Sequence, residues 1–444
     1  MKKTRRDFIK KSSLAAAGLT TGIGCSTAKS YNRIIGANDT IHVGVAGINS
    51  RGNALRNTVT KLANTNVHAL CDVDSKVLEK RIAEHKKAKG NNPKGYKDIR
   101  NMIEDKNIDA VIIATPDHSH APFSIYALQA GKHVYCEKPC SQNPHEGELL
   151  IAAQKKYGKL VQIGNQQRSA PTSQLAVKEI GDGVIGHVYE AKCWYANNRG
   201  TIGNGKLASV PEHLDWDLWQ GPAPRRPYKD NYVHYNWHWF RHWGTGEICN
   251  NGLHEMDICR WALGAENPNK VTSQGGRFHF TEDDWEFFDT QIVRFEFEGG
   301  KSLTWEGRSC NGRKQYERGR GVMIYGTDGA IMVDRNNYIL FDRSGKEVKN
   351  ESEKQLSQTT NIVGAGGLTD YHMQNFFQGI RVSEALHSPV VIANVSNHLC
   401  HLGNMAQDNG GSIDVDSATG KVVGNKAAMK AWSRDYENGW GNLS

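Results

Sequence analysis

A strand, a glycine turn and a helix follow one another near residue 41 of this sequence. Residues 41–46 (IHVGVA) form the apolar run of a buried strand, and residues 53–62 follow as a helical segment. Gly47 permits the tight turn between them, and Gly52 permits the helix to pack closely on the strand. The free N–H groups of the first helical turn would then face an anion such as a phosphate. The pattern predicts an α/β fold with a ligand at this turn.

The turn departs from the Gly-x-Gly-x-x-Gly fingerprint of dinucleotide-binding proteins at its middle glycine. Asn49 occupies that position, and Ser50 and Arg51 follow it. Asparagine tolerates a left-handed backbone but adds a side chain close to the expected phosphates. Taken alone, the motif is therefore a weak indication of a dinucleotide.

Alternating strands and helices continue to residue 137 and strengthen the prediction. Residues 67–72 form a second strand that ends in Asp72, and residues 110–115 and 133–137 form two further strands with a helix between them. An acid at position 72 would accept hydrogen bonds from the adenosine ribose and repel the 2′-phosphate of NADP, although a helix cap is the alternative. The alternation predicts a doubly wound parallel sheet, a Rossmann domain, with its ligand beyond the carboxyl ends of the strands.

Five ordered motifs resemble those of the Gfo/Idh/MocA family, the glucose–fructose oxidoreductase and inositol dehydrogenase family. They lie at 114–120, 137–139 (Glu-Lys-Pro), 164–168, 244–257 and 324–329. The resemblance implies a Rossmann domain followed by an α/β domain with a large, open antiparallel sheet, whose outer face makes the oligomer interface in that family. It divides the chain into a signal and spacer (1–38), the Rossmann domain (39–165), the substrate and oligomerisation domain (166–410) and an extension (411–444). C-terminal helices are expected to pack back on the Rossmann domain.

The resemblance also implies the catalytic residues. Lys138, of the Glu-Lys-Pro triplet, would hold and polarise the oxygen of the carbon that exchanges hydride, because an ammonium stabilises developing negative charge. His254 matches the histidine base of an Asp-x-x-x-His motif, but the aspartate position holds Asn250. Asparagine can orient the imidazole without supporting its charge, and Glu247 or Asp257 would have to supply the missing charge. Asp257 is more simply explained as a buried group that stabilises its helix.

The implied contacts with NAD and with substrate extend beyond these residues. Cofactor contacts are expected from Gly47, Asn49, Ser50, Arg51, Gly52, Asp72, Thr115, Pro116, His120, Glu137, Lys138 and Gln166. Substrate contacts are expected from Arg168, Trp237, His238, Trp239, Arg241 and Trp243.

An aromatic and histidine-rich stretch at 232–243 (YVHYNWHWFRHW) permits three interpretations. His234, His238 and His242 would share one face of a helix, but the β-favouring composition disfavours a helix, so no metal site is predicted. A packed aromatic loop is the plainer alternative. The preferred interpretation is a wall of the substrate pocket, where tryptophans stack on sugar C–H faces. Residues 214–224 would be a surface turn leading to this wall. Tyr195, Asn197, Asn198 and Arg199 would line the same cleft, with loop packing as the equal alternative for each.

The N-terminal 30 residues predict a targeting signal. They contain seven basic groups and one acidic group, so +6 of the formal charge of +8 lies there, and no general basic field for nucleic acid remains. Arg5-Arg6 followed by Phe8, a short apolar stretch and small residues resemble a twin-arginine export signal. Export to the periplasm is therefore expected, without a spanning helix. Cys25 is a candidate for lipid anchoring, although Gly22-Ile23-Gly24 fits lipoprotein processing poorly.

These features together predict an exported NAD-dependent oxidoreductase acting on a hydroxyl carbon of a sugar, polyol or glycoside. Because a protein outside the nucleotide pool would have to keep its cofactor, a redox-neutral reaction is the second hypothesis. In it, transient oxidation at a sugar C3 would permit cleavage of the neighbouring glycosidic bond before reduction. A non-catalytic sugar-binding module is the third. Period-two patterns at 289–297, 302–306 and 329–333 agree with the strands of the open sheet, and the resemblance implies a homodimer or homotetramer formed through that sheet.

Overall fold

The computed structural model describes residues 40–353 and 367–443. The predicted export signal and Cys25 lie outside the described residues. No helix in the described part of the chain is both long enough and apolar enough to cross a membrane.

A six-stranded parallel sheet occupies the first part of the described chain, in the order β3-β2-β1-β4-β5-β6. This order is the doubly wound arrangement that binds dinucleotides, so the predicted Rossmann fold is confirmed. The strands are β1 (Ile41–Ala46), β2 (Thr65–Cys71), β3 (Lys94–Tyr96), β4 (Ala110–Ile113), β5 (His133–Cys136) and β6 (Val161–Ile163).

A ten-stranded sheet forms the second layer, in the order β14-β13-β12-β11-β7-β10-β9-β8-β15-β16. All neighbours are antiparallel except β7 and β10, which pair in parallel, so the predicted large antiparallel sheet is confirmed with one exception. The last two strands extend the sheet past residue 410, into the predicted C-terminal extension. The strands are β7 (Val188–Ala196), β8 (Lys270–Gly276), β9 (Thr290–Glu296), β10 (Ser302–Arg308), β11 (Arg320–Gly326), β12 (Gly329–Val333), β13 (Asn337–Asp342), β14 (Glu347–Ser352), β15 (Ser412–Val415) and β16 (Val422–Val423).

Helices cover both faces of the first sheet and the inner face of the second. They are α1 (Arg51–Val59), α2 (Ser75–Lys89), α3 (Ile99–Ile103), α4 (Asp117–Gln129), α5 (Pro144–Tyr157), α6 (Pro171–Gly181), α7 (Trp216–Gln220), α8 (Leu253–Leu263), α9 (Leu368–Val382), α10 (Val390–Asp408) and α11 (Lys426–Met429).

Apolar side chains join the two layers into one compact unit. Helices α8 and α10 bury Met256, Cys259 and Leu402 against the inner face of the large sheet, where Val293 and Trp305 lie. Helix α9 instead packs back on the Rossmann sheet, as its amphipathic pattern requires. The carboxyl ends of β1, β2, β4 and β5 therefore face the second layer across a cleft.

Candidate active site

A cavity of about 400 Å³ extends along this cleft. At one end, near the carboxyl end of β2, it is lined by Asp72, Asp98 and Phe123. At the other end, where β5 meets α8, it is lined by Lys138 and His254. Its position beyond the carboxyl ends of parallel strands is where such sheets bind nucleotides.

The turn after β1 leaves room for a phosphate group because two of its residues lack a side chain. Gly47 has φ +75°, and a Cβ there would lie 2.6 Å from the carbonyl oxygen of Ala114. A Cβ on Gly52 would lie 2.0 Å from the carbonyl oxygen of Gly47. Asn49, Ser50 and Arg51 line the cavity between the two glycines. These residues fit a dinucleotide whose pyrophosphate faces the N-terminus of α1.

Asp72 directly follows β2, and two backbone N–H groups bind its carboxylate. Its oxygens accept hydrogen bonds from the N–H groups of Ile48 (2.9 Å) and Asp74 (3.0 Å). Burial raises the pKa of this carboxyl, and the two N–H groups act in the opposite direction. Asp72 lines the cavity. Its position fits the predicted acceptor for the ribose hydroxyls.

Lys138 projects into the other end of the cavity from a cis peptide bond with Pro139. Its Nζ donates a hydrogen bond of 2.5 Å to the backbone oxygen of Asn250 and lies 3.5 Å from Asn250 Oδ1. Burial lowers the pKa of the lysine, while Asp117 and Glu137 raise it. Asn250 therefore positions Lys138, which differs from the predicted role of orienting His254.

Asp117, at the beginning of α4, is a cavity residue that the sequence analysis did not select. Its carboxyl accepts a 2.5 Å hydrogen bond from Thr245 Oγ1 and is buried. Burial raises its pKa to about 7, against the opposing effects of Thr245 and Lys138. The signal was present in the sequence: this aspartate directly follows Thr115-Pro116, at the carboxyl end of a Rossmann strand.

His254 lines the cavity from the first turn of α8. Within the described residues, no protein group forms a hydrogen bond with its ring. Burial lowers its pKa well below the usual value, and Arg335, Lys138, Arg320 and Arg51 lower it further. The imidazole is therefore neutral at neutral pH, with a nitrogen free to accept a proton from a bound molecule.

The remaining predicted cofactor residues form a hydrogen-bonded frame around Lys138. Glu137 accepts hydrogen bonds of 2.8 Å from Arg51 Nε and from Gln166 Nε2. The His120 ring lies 2.7 Å from the carbonyl oxygens of both Thr115 and Pro139, which links the loop after β4 to the lysine turn. Pro116 lines the cavity beside them. The frame fixes the direction in which Lys138 points.

The predicted substrate residues divide into two groups. Trp237 and His238 line the cavity, with their rings stacked at 3.6 Å. Trp239 stacks on Trp285 and Trp243 is buried in an aromatic cluster, so the aromatic stretch is both a packed core and a cavity wall. His234 also lines the cavity and contacts Asp74, whereas His242 contacts the Pro224 carbonyl oxygen, so the three histidines form no common metal site.

Two predicted substrate arginines do not line the cavity because each is held by a carboxylate elsewhere. Arg168 forms a buried ion pair with Asp257 (2.6 and 2.9 Å). Asp257 is thus the buried structural group that the sequence predicted. Arg241 pairs with Asp408 at the end of α10. Neither arginine is brought to the site.

Comparison with known proteins agrees with this geometry. The model of the oxidoreductase family with an NAD-binding Rossmann fold (Gfo/Idh/MocA) matches residues 41–165, and the family's C-terminal α/β domain matches residues 191–441. The chain belongs to the Gfo/Idh/MocA family.

Similar members of this family have several activities. The levoglucosan dehydrogenase of Pseudarthrobacter phenanthrenivorans is 34% identical over 38% of this chain and 36% of its own length. A glycosyl hydrolase family 109 protein of Shewanella pealeana is 26% identical over 44% of this chain and 46% of its own. Alignments to the first curated relatives cover 36 to 64% of those proteins.

A solved structure shows that the shared fold extends further than these alignments. The aldose–aldose oxidoreductase of Caulobacter crescentus superposes with a TM-score of 0.64 over 85% of this chain and 100% of that one, at 17% identity. The fold is thus confirmed as that of the Gfo/Idh/MocA family.

In the present protein, two tryptophans that the sequence analysis did not select also line the cavity. Trp219 of α7 and Trp440 near the C-terminus line the end beside Phe123, and Trp440 lies 5.7 Å from Phe123 between ring centroids. Within residues 214–224, Leu218 and Trp219 line the cavity and Leu214 and Trp216 are buried, so the segment is not the surface turn that the sequence predicted. Their tryptophans indicated burial, but only the tertiary structure shows what they cover.

Proposed function

We propose that the chain is an exported, NAD-dependent oxidoreductase that transfers hydride at a hydroxyl carbon of a sugar, polyol or glycoside. The observation that carries the proposal is the meeting of Lys138 and a neutral His254 in one cavity with the phosphate turn at Gly47. Asp72 supports NAD over NADP because a carboxylate at this position repels a 2′-phosphate. The twin-arginine pattern supports export.

The chain's own residues divide the proton and charge chemistry. His254 accepts the proton of the substrate hydroxyl, since its imidazole is neutral and has no protein partner within the described residues. Lys138 donates to the same oxygen and stabilises the negative charge that develops on it. Bound NAD supplies the acceptor for the hydride that leaves the carbon. When Asp117 is ionised, its carboxylate balances the positive charge of Lys138.

The first test is the nucleotide content of the protein purified without residues 1–38. Denaturation should release stoichiometric NAD or NADH, identified by mass and by absorbance at 340 nm. A sugar and polyol panel should then change that absorbance in the wild type. The His254→Gln variant should bind NAD but react about 10² to 10⁴-fold more slowly. A protein that neither contains nor binds NAD would refute the proposal.

A second candidate function is redox-neutral cleavage of a glycoside through a transient 3-keto sugar. The observation that favours it is that Trp219, Trp237 and Trp440 line the cavity, since a cofactor held against such large apolar side chains is best regenerated in place. The similarity to a glycosyl hydrolase family 109 protein supports it as well. The ketone would acidify the adjacent C–H, from which a base such as His254 abstracts a proton.

Aryl glycosides distinguish the two candidates. Release of the aryl group without net formation of NADH supports the cleavage reaction, and the Lys138→Ala variant should lose it. Cleavage that continues unchanged in that variant would exclude the keto route. Net NADH formation that scales with substrate supports the simple dehydrogenase.

A further inference from the structure

Arg335 lines the active-site cavity from the hairpin between β12 and β13. Asp334 fixes this hairpin by accepting 2.7 Å hydrogen bonds from the N–H groups of Asn336 and Asn337. Throughout residues 40–353 and 367–443, no group forms a hydrogen bond or ion pair with the Arg335 guanidinium. Of the two arginines that line the cavity, Arg51 and Arg335, Arg335 is therefore the one without an ion pair in the described part of the chain.

The other arginines near this end of the cavity each have a carboxylate. Arg51 pairs with Glu137 at 2.8 Å, and Arg199 pairs with Glu247 at 2.8 Å. Arg320 donates two hydrogen bonds of 2.7 Å to Glu255. Glu255 is also the carboxylate that has the strongest charge interaction with Arg335. Since Glu255 already binds Arg320, it offsets the charge of Arg335 only in part, and it forms no ion pair with Arg335.

The electrostatic surroundings make this position suited to an anion. Burial, and after it the charge of Arg320, lower the pKa of Arg335 to about 10. Arg335 and His254 line the same cavity, and of the charged groups that lower the pKa of His254, Arg335 acts most strongly. An anion beside Arg335 would relieve the repulsion among these cations, and in a site withdrawn from water this attraction is strong.

We propose that Arg335 binds a carboxylate of the substrate, so that the substrate class is acidic sugars, a hexuronic acid or a glycoside of one. A guanidinium offers two parallel N–H donors that match the two oxygens of a carboxylate. The carboxylate on Arg335 would direct a neighbouring hydroxyl of the same sugar ring towards His254 and Lys138. This inference rests on the proposed function, which it narrows from carbohydrates in general.

The cofactor's pyrophosphate is the other anion that could approach a guanidinium here. The pyrophosphate is expected at the turn between Gly47 and Gly52, whereas the strongest charge interactions of Arg335 are with Arg320 and Glu255 of the second domain. The substrate is therefore the favoured source of the anion.

Binding of matched acidic and neutral sugars tests the proposal without turnover. NAD-loaded protein is titrated with D-glucuronate, D-galacturonate, D-mannuronate and L-iduronate, each against its uncharged amide, and binding is followed calorimetrically. At least one acid should bind wild type about 10- to 100-fold more tightly than its amide, as expected for a charge-assisted bidentate bond. The ratio should fall to about 1 in Arg335→Met, remain partly in Arg335→Lys and be unchanged in Arg343→Met, an exposed arginine eight residues away.

Several outcomes would overturn the inference. Amides that bind as tightly as every acid, or a ratio that survives in Arg335→Met, would do so. Loss of NAD from Arg335→Met with an unchanged ratio would assign the guanidinium to the cofactor's phosphate. If no sugar binds, malonate decides: a rise in Tm in wild type that is absent from Arg335→Met supports the anion site, and equal Tm values refute it. Acid binding through Arg335 in a protein without NAD would refute the proposed function alone.

Discussion

Lys138 is the residue on which the proposed chemistry most depends. Because its ammonium is partly buried, held by Asn250 and located in the cavity, it is a preorganised charge for an oxyanion. Replacement by methionine should lower kcat by about 10² to 10³-fold, with NAD content unchanged. Steady-state kinetics and the 340 nm absorbance of released nucleotide measure both. Lys178→Met, on the exposed side of α6, is the control that should behave as wild type.

Asp117 should give the folded protein a characteristic dependence on pH. Its pKa is about 7 in the fold, raised by burial from 3.8. Between pH 4 and 7 the folded state therefore holds a proton that the unfolded state releases, so this carboxyl's contribution to stability falls as pH rises through that range. Asp117→Asn removes the effect, and its stability relative to wild type should increase by about 4 kcal/mol from pH 4 to 8.

Urea unfolding of wild type and Asp117→Asn at a series of pH values measures this difference. All other titrating groups are shared by the two proteins, so their effects cancel in the comparison. A difference in stability that does not vary with pH would contradict the raised pKa.

At the residue scale, short sequence motifs predicted the functional residues that they contain, but not the distant residues that contact them. Lys138 and His254 were selected from short sequences, and both line the cavity. The partner of Lys138 was not predictable in this way, because Asn250 is 112 residues away and contacts it mainly through a backbone oxygen. Arg335 was missed because a single arginine in a hairpin has no signal until the fold shows its neighbours.

At the element scale, a buried ion pair connects three segments behind the cavity. Arg168, in the turn at Gln166–Ser169, forms an ion pair with Asp257 on α8. Ser396 on α10 donates a hydrogen bond of 2.5 Å to the same carboxylate. Arg168→Met should destabilise the fold by about 3 to 5 kcal/mol, because it leaves Asp257 charged and buried. The double variant Arg168→Met/Asp257→Leu should recover most of this loss.

Denaturant unfolding of the two variants separates electrostatic from packing effects. If the double variant is as unstable as the single one, the guanidinium contributes mainly through packing, for example on the face of Trp261, which lies 4.8 Å from it. NAD content should be retained by both variants, since neither residue lines the cavity.

Element types were predicted well where periodicity was clear and poorly where aromatic residues dominate. The strands at 41–46 and 329–333 agree with the prediction because alternation or a continuous apolar run specifies them. The segment 214–243 has no such period. Its conformation is set by Trp216, Trp219 and Trp243 packing on one another, at centroid distances of 4.8 to 5.6 Å, which no local pattern encodes.

At the scale of the whole molecule, the outer face of the large sheet is divided between two kinds of surface. Trp194, Met323, Met332 and Ile339 form an apolar cluster at one half, with Phe341 packed against it. Strands β9 and β10 carry charged residues such as Arg294 and Glu306 on the same face. The fold class predicted this sheet, but the division of its face depends on the strand order, which places β7 beside β11 although 123 residues separate their facing ends.

The apolar half of this face leads us to expect that the protein is a homo-oligomer. The four side chains of the cluster are already buried in the single chain, but Tyr325, Ala330 and Phe341 around them are only partly buried and would gain stability from cover by a second copy, whose register the charged half would fix. Phe341→Glu places a carboxylate in that contact and should convert the oligomer to monomer, whereas Val423→Glu, on the exposed last strand, should leave it intact. Light scattering during size-exclusion chromatography measures the mass of each species.

Because the cavity opens between the layers of one chain, the Phe341→Glu monomer should keep its NAD. A wild-type protein that elutes as monomer would show that the loop carrying Tyr316, whose ring lies 5.2 Å from that of Trp194, is sufficient cover for the cluster.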